Sequence, residues 1–163
     1  MHTQTGPRPA VLPAAGGRHR LPPWAWLVGR GLGALAILAV GAIHLQQYND
    51  SYSAIPTIGT LFVVNFVAAM VIAIALLAPI EHLTRAAWAG ALVALVTAGG
   101  IALAGGSFVL LLVSERRPLF GFQEPGYDPT AIANARATEL AAVVLLTASL
   151  AARFSTKGPK ARW

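Results

Sequence analysis

The sequence predicts an all-α integral membrane protein, a four-helix bundle with both chain ends on the cytoplasmic side. Three observations lead there. Hydrophobic residues make up 56% of the chain and charged residues only 11%, against about a quarter charged in an ordinary soluble domain. A chain of 163 residues has too little interior to hide that much apolar surface from water, so lipid is the solvent it suits. The apolar residues also gather into four runs, each meeting the roughly 20 residues that span a hydrocarbon core about 30 Å thick. Lastly, Lys and Arg fall mostly on one side of those runs, as cytoplasmic loops require.

The first 23 residues, rich in Pro, Gly and Arg and without periodicity, predict a disordered cytoplasmic tail. The first span covers 24–46. Its one charge is Arg30, close enough to the helix start to snorkel toward the interface. A cleaved signal peptide is the alternative for this segment, with Ala39–Ala42 as the small-residue cleavage site. The long leading tail and the long apolar run favour an uncleaved helix. The second span covers 56–78, the third 86–114 and the fourth 129–152, followed by a basic tail over 154–163. In lipid a spanning backbone must satisfy its own hydrogen bonds, so each span is a helix. Pro56 and Pro129 suit first-turn positions, and Asp128 suits the cap of the fourth helix.

Orientation follows from charge. With the N-terminus inside, Arg8, Arg18, Arg20, Arg30, Arg85, Arg153, Lys157, Lys160 and Arg162 are cytoplasmic, and Arg116, Arg117 and Arg136 are outside. The short segment "PIEHLTR" then turns inside and makes helices two and three antiparallel neighbours. These assignments place the protein in the bacterial plasma membrane as a multi-pass protein, with the lipid bilayer as its first partner. The net charge of +6 lies at the ends of the chain, which suits an anionic membrane surface and not nucleic acid. Cysteine is absent, which removes thiolate metal sites and Cys nucleophiles.

Two features beyond the spans stand out. Gly90, Ala94, Ala98, Ala102 and Gly106 place a small residue at every fourth position of helix three, and Gly29 and Gly33 form a GxxxG pair in helix one. Such stripes let another helix approach closely, within the monomer or in a homodimer or larger membrane complex. The second feature is a set of polar groups within or beside the spans. His44, Tyr48, Asn65, Glu115, Arg136 and Glu139 all fall in the outer half of the bundle. Counted from Pro56, Asn65 lies about 13 Å deep, and counted from Pro129, Glu139 lies about 15 Å deep. Ionisable groups at such depth face the bundle interior. Glu139 either pairs with Arg136 or His44 to lock packing, or handles a proton or ligand. Asn65 suits an interhelical hydrogen bond, Tyr48 shares the face of His44 at i+4, and Glu115 suits a solvated helix end. The second outer loop carries Phe120, Phe122, Glu124 and Tyr127, which suit a segment folded back on the bundle mouth or a docking surface.

Several chemistries lack their residues. Bis-His haem needs paired intramembrane histidines, and only His44 lies in a span. No spacing argues for a metal site, no catalytic residues are assigned, and no cofactor is predicted. The first functional expectation is therefore a non-enzymatic accessory or interaction subunit with an outward-facing polar cluster. The alternative is a small transporter, or a proton- or quinone-linked redox component, using an intramembrane Glu/His pair.

At "HLQQYNDSYSAIPTIGTLFVVN" and "PLFGFQEPGY" the chain resembles a group of small actinobacterial four-helix membrane proteins of unknown function. The resemblance rests on the His-Leu-x-x-Tyr and Ile-Pro-Thr-Ile-Gly-x-Leu-Phe patterns and implies membership without a mechanism. In topology the chain is similar, more loosely, to DoxX-like four-helix proteins, which implies fold alone.

Overall fold

The computed structural model describes Pro22 and residues 24–79 and 88–156. Both predicted tails and the "PIEHLTR" turn lie outside the described residues, apart from Pro22, Pro79 and the end of the last helix. Four helices carry the fold: α1 (Ala25–Asp50), α2 (Pro56–Leu77), α3 (Ala89–Ser114) and α4 (Pro129–Thr156). All four are long and apolar enough to cross a membrane. Among the described residues there is no strand, only an isolated bridge between Leu119 and Phe122. The molecule is a multi-pass membrane-type helical bundle.

The helices differ from their expected spans mainly at the ends. α1 runs on through the polar residues Gln46–Asp50, about one turn past the apolar run, and α4 continues to Thr156. Hydropathy marks where lipid ends, but a helix stops only where its hydrogen bonding is replaced. Ser51 donates its N–H to Gln47 O, and the chain reverses through a single 3₁₀ turn, Tyr52–Ala54. Ile55 is extended, and Pro56 opens α2 at its first turn, where the missing N–H costs nothing. Asp128 caps α4 by accepting the Ala131 N–H at 2.9 Å.

The helices form a ring in chain order. α1 makes the widest contacts, with α4 and α2; α3 packs on α4; the α2–α3 contact is the thinnest of the four, and α1 and α3 are diagonal. Apolar side chains gain nothing by leaving lipid for one another, so close fit holds such a bundle. The buried cluster is built from Ala34, Ile37, Ala69, Ala73, Leu76, Ala104, Ala142 and Leu146. Leu146 of α4 is the central knob. A Cβ at Gly33 would lie 2.4 Å from its Cδ2, and one at Gly100 would lie 2.7 Å from its Cδ1. Glycines of α1 and α3 thus grip one leucine from both sides. The Gly29–Gly33 pair packs α1 on α4, with Ser149 against Gly29 and its hydroxyl donating to Trp26 O at 2.8 Å.

The stripe on α3 behaves differently from Gly29 and Gly33. The buried residues of α3 are Ala89, Val93, Thr97, Gly100 and Ala104. Ala98, Ala102 and Gly106 are exposed, and a Cβ at Gly106 would meet nothing within 4 Å. Steps of four residues advance about 40° around a helix per step, so the stripe winds through about 160°. Gly90 faces the bundle, where it makes room for the Arg153 guanidinium, and Gly106 faces outward. Arg30 is buried, its guanidinium lying back toward the start of α1 over Trp26 at 5.0 Å, with Arg153 on the same ring system at 5.5 Å.

Candidate functional site

At the end of the bundle that carries the α1–α2 turn and the α3–α4 loop, the helices enclose a cavity of about 340 Å³. That lies within the size range of small-molecule pockets. Its walls are largely apolar, among them Ile43, Ile58, Phe62, Leu103 and Leu111. The thin α2–α3 contact opens it sideways. Leu61, Val64, Ala102, Gly106 and Leu110 line the cavity and are also exposed on the lipid-facing surface of those two helices. Ala102 and Gly106 are stripe residues, so the small side chains keep the wall low where the opening lies.

The floor is polar. Glu139 is 1% exposed, and its Oε2 is buried without a hydrogen-bond partner. Its Oε1 lies 3.9 Å from His44 Nε2, too far for a hydrogen bond. His44 Nδ1 lies 2.9 Å from Val40 O. A carbonyl only accepts, so Nδ1 carries a proton and the neutral ring presents Nε2 to Glu139 as an acceptor. The ring stands edge-on to Phe62, with centroids 5.1 Å apart. From α2, Asn65 Nδ2 donates to Ser107 Oγ of α3 at 2.5 Å, while Asn65 Oδ1 is buried without a partner.

The mouth is closed by the α3–α4 loop. Tyr52 hydroxyl donates to Glu124 Oε2, and Glu124 Oε1 accepts the Gly126 N–H at 2.9 Å. Both side chains are buried, and the Tyr52 ring also contacts Phe62 and Phe122. Burial, and then the Glu124 carboxylate it bonds, push the Tyr52 phenol well above its ordinary range. Leu119 and Phe122 exchange both backbone hydrogen bonds around Phe120 and Gly121, which have φ of 51° and 81°. Positive φ at both central positions is the geometry of a tight two-residue hairpin. Glycine supplies it freely and phenylalanine at a cost.

The structure brings His44, Asn65 and Glu139 to one chamber and leaves the other candidates outside it. Arg136 does not pair with Glu139, although the two share a helix face. Its guanidinium instead reaches across to α3 and bonds both carboxylate oxygens of Glu115. A single guanidinium nitrogen, Nη2, reaches both oxygens in a charge-assisted contact, and Glu115 sits at the wetter end of α3. Glu115 is thereby held by α4 and is not a freely solvated end. Tyr48 does not bond His44, whose Nδ1 is taken by its own backbone. The Tyr48 ring lies over Gly59 of α2. Sequence reasoning missed the Tyr52–Glu124 bond and Ser107. A tyrosine and a glutamate in separate loops carry no spacing signal, and a lone serine among apolar residues reads as solvent for a backbone carbonyl. Among the described residues no group of three or more His, Cys, Asp or Glu is placed to hold a metal ion. Compared with protein families, with curated proteins and with solved structures, the chain matches none.

Proposed function

We propose that this protein binds a small lipophilic molecule that reaches it sideways from the bilayer, through the gap between α2 and α3. The observation that carries this reading is the apolar cavity of about 340 Å³ that opens between lipid-facing residues and ends on the buried Glu139 carboxyl. A helix pair locked only for packing has no need of a cavity beside it. Nor does it need a carboxyl oxygen without a partner. Buried polar atoms are nearly always satisfied, and those that are not call for an explanation. The geometry favours the transporter or ligand-handling alternative over a purely structural accessory subunit. The excess of Lys and Arg at the chain ends supports a cytoplasmic placement of both termini, with the cavity in the outer half of the plasma membrane. The similarity to small actinobacterial membrane proteins is part of the same reading and adds no chemistry to it.

Gly106→Phe tests the reading. No atom stands within 4 Å of a Cβ there, so the ring fills the gap without displacing the core. With purified protein in nanodiscs, a naphthyl-labelled alkane should show saturable binding to the parent chain, reduced at least tenfold in Gly106→Phe, with unchanged helix content. Equal binding by both proteins rejects the cavity as the site.

A further inference from the structure

We infer that the polar end of the ligand is a hydrogen-bond donor carrying positive charge, so the site takes a lipophilic ammonium. This deepens the ligand-binding reading above and rests on it. Donors and acceptors at the floor are out of balance. Asn65 and Glu139 both line the cavity, and each carries a buried oxygen without a partner, Oδ1 and Oε2. The neutral His44 ring adds a third acceptor, Nε2, because Nδ1 is committed to Val40 O. The three side chains that carry these acceptors, from α1, α2 and α4, thus line one chamber, and the Asn65 amide nitrogen donates to Ser107. A ligand that only accepts, such as a ketone or an ester, leaves all three unsatisfied. An ammonium brings up to three N–H donors in a compact head.

Charge points the same way. Among the described residues the ionisable side chains lining the cavity are His44, Tyr52, Glu124 and Glu139, with no Lys or Arg. The nearest arginine on the same helix face, Arg136, is occupied by Glu115. Tyr52 and the Gly126 N–H already satisfy Glu124. Glu139 is therefore the carboxyl that lacks a counter-charge from the protein side. A carboxylate alone in low dielectric is costly, and a cation drawn into the chamber relieves that cost. The Phe62 and Tyr52 rings above the floor add faces that attract a cation. An alkyl tail leaves between α2 and α3, past Gly106, into lipid.

A charge series at constant chain length tests this. Dodecylammonium, dodecanol and dodecanoate compete with the naphthyl-labelled alkane on the full chain in uncharged phosphatidylcholine nanodiscs. The expected order is the amine at least tenfold tighter than the alcohol, with the carboxylate weakest. Glu139→Gln should bring the amine to within about twofold of the alcohol while the alcohol still competes, which shows the chamber intact. Amine and carboxylate competing equally, or the carboxylate competing better, overturns the ammonium assignment and leaves lipophile binding standing. Failure of all three to compete, with the labelled alkane insensitive to Gly106→Phe, overturns both. The series on the parent chain decides the matter even if Glu139→Gln does not fold.

Discussion

Gly33→Ala adds one methyl group to α1, and its effect follows from the surroundings. The new Cβ would lie 2.4 Å from Leu146 Cδ2 and 2.8 Å from Cγ, where carbon atoms rest about 3.5–4.0 Å apart. Leu146 has no room to turn aside, because Gly100 of α3 touches its other methyl. The nearest backbone atom, Leu146 N, is at 3.5 Å, an ordinary contact, so the strain falls on the Leu146 side chain, wedged between the two glycines. Overpacking of this kind costs about 1–3 kcal/mol, and we expect the upper half of that range. Leu146→Ala should cost an amount near the lower end of the 2–5 kcal/mol typical of water-soluble cores, because lipid replaces water as the reference. In the double variant the clash is gone and the added methyl occupies vacated space. The double loss should therefore fall short of the sum by about 2–3 kcal/mol, well outside the roughly 0.5 kcal/mol within which separate sites add. Gly31→Ala, with nothing within 4 Å, serves as the control and should be neutral. Unfolding in mixed micelles of rising dodecyl sulfate fraction, followed by tryptophan emission, measures all four. Leu146 also sits two turns from Glu139 on the same face of α4, so Gly33→Ala should weaken lipophile binding as well. A fully stable Gly33→Ala, or strict additivity in the cycle, refutes the notch.

Three further outcomes are expected. Tyr52 should ionise above the ordinary tyrosine value of about 10, because the buried, Glu124-bonded phenol favours its protonated form. A raised folded value stabilises fully below the ordinary one and is lost as pH rises through the folded one. The 295 nm absorbance of the parent chain minus Tyr52→Phe, titrated with alkali, isolates this group, and ionisation at or below pH 10 contradicts the buried assignment. Phe120→Gly should leave thermal stability equal or raised by up to about 1 kcal/mol, since glycine accepts φ of 51° without steric cost; a loss beyond about 1 kcal/mol means the ring is anchoring the loop. Asn65→Ala and Ser107→Ala should each cost about 0.6–1.7 kcal/mol and together no more than either alone, since they break the same interhelical bond; independent losses in the double variant refute the pairing.

What could be read from the sequence divides along a physical line. Position along a helix axis is one-dimensional, because the rise per residue is fixed. The spans, and the positions of His44, Asn65 and Glu139 along their helices, were therefore legible. Rotation about the axis was not. In a soluble helix water marks one face, but here lipid-facing and buried positions share a vocabulary: Val71 is 62% exposed and Val40 is 0%. Without azimuth, Glu139 had two equally good partners in reach, and only the packed structure shows it turned to His44 while Arg136 turns to Glu115. The same gap hid the winding of the α3 stripe, whose ends perform unrelated tasks at Gly90 and Gly106.

The division of labour in the ring explains why a carboxyl can sit so deep. Glu139 projects from α4, and His44 from α1, so the polar floor belongs to the most extensive helix pair in the bundle. Gly29, Gly33 and Ser149 hold that pair at close range. Across the chamber lies the α2–α3 pair, the least extensive, joined near the floor by the Asn65–Ser107 bond. A polar group in lipid is tolerated only if its position is fixed, because any drift toward acyl chains is costly. A molecule entering from lipid needs a wall that yields. One close-packed pair and one loosely packed pair meet both demands at once. The asymmetry follows from where small residues lie: on α1 they are turned inward as notches, and at Ala102 and Gly106 of α3 they are turned outward as a gap.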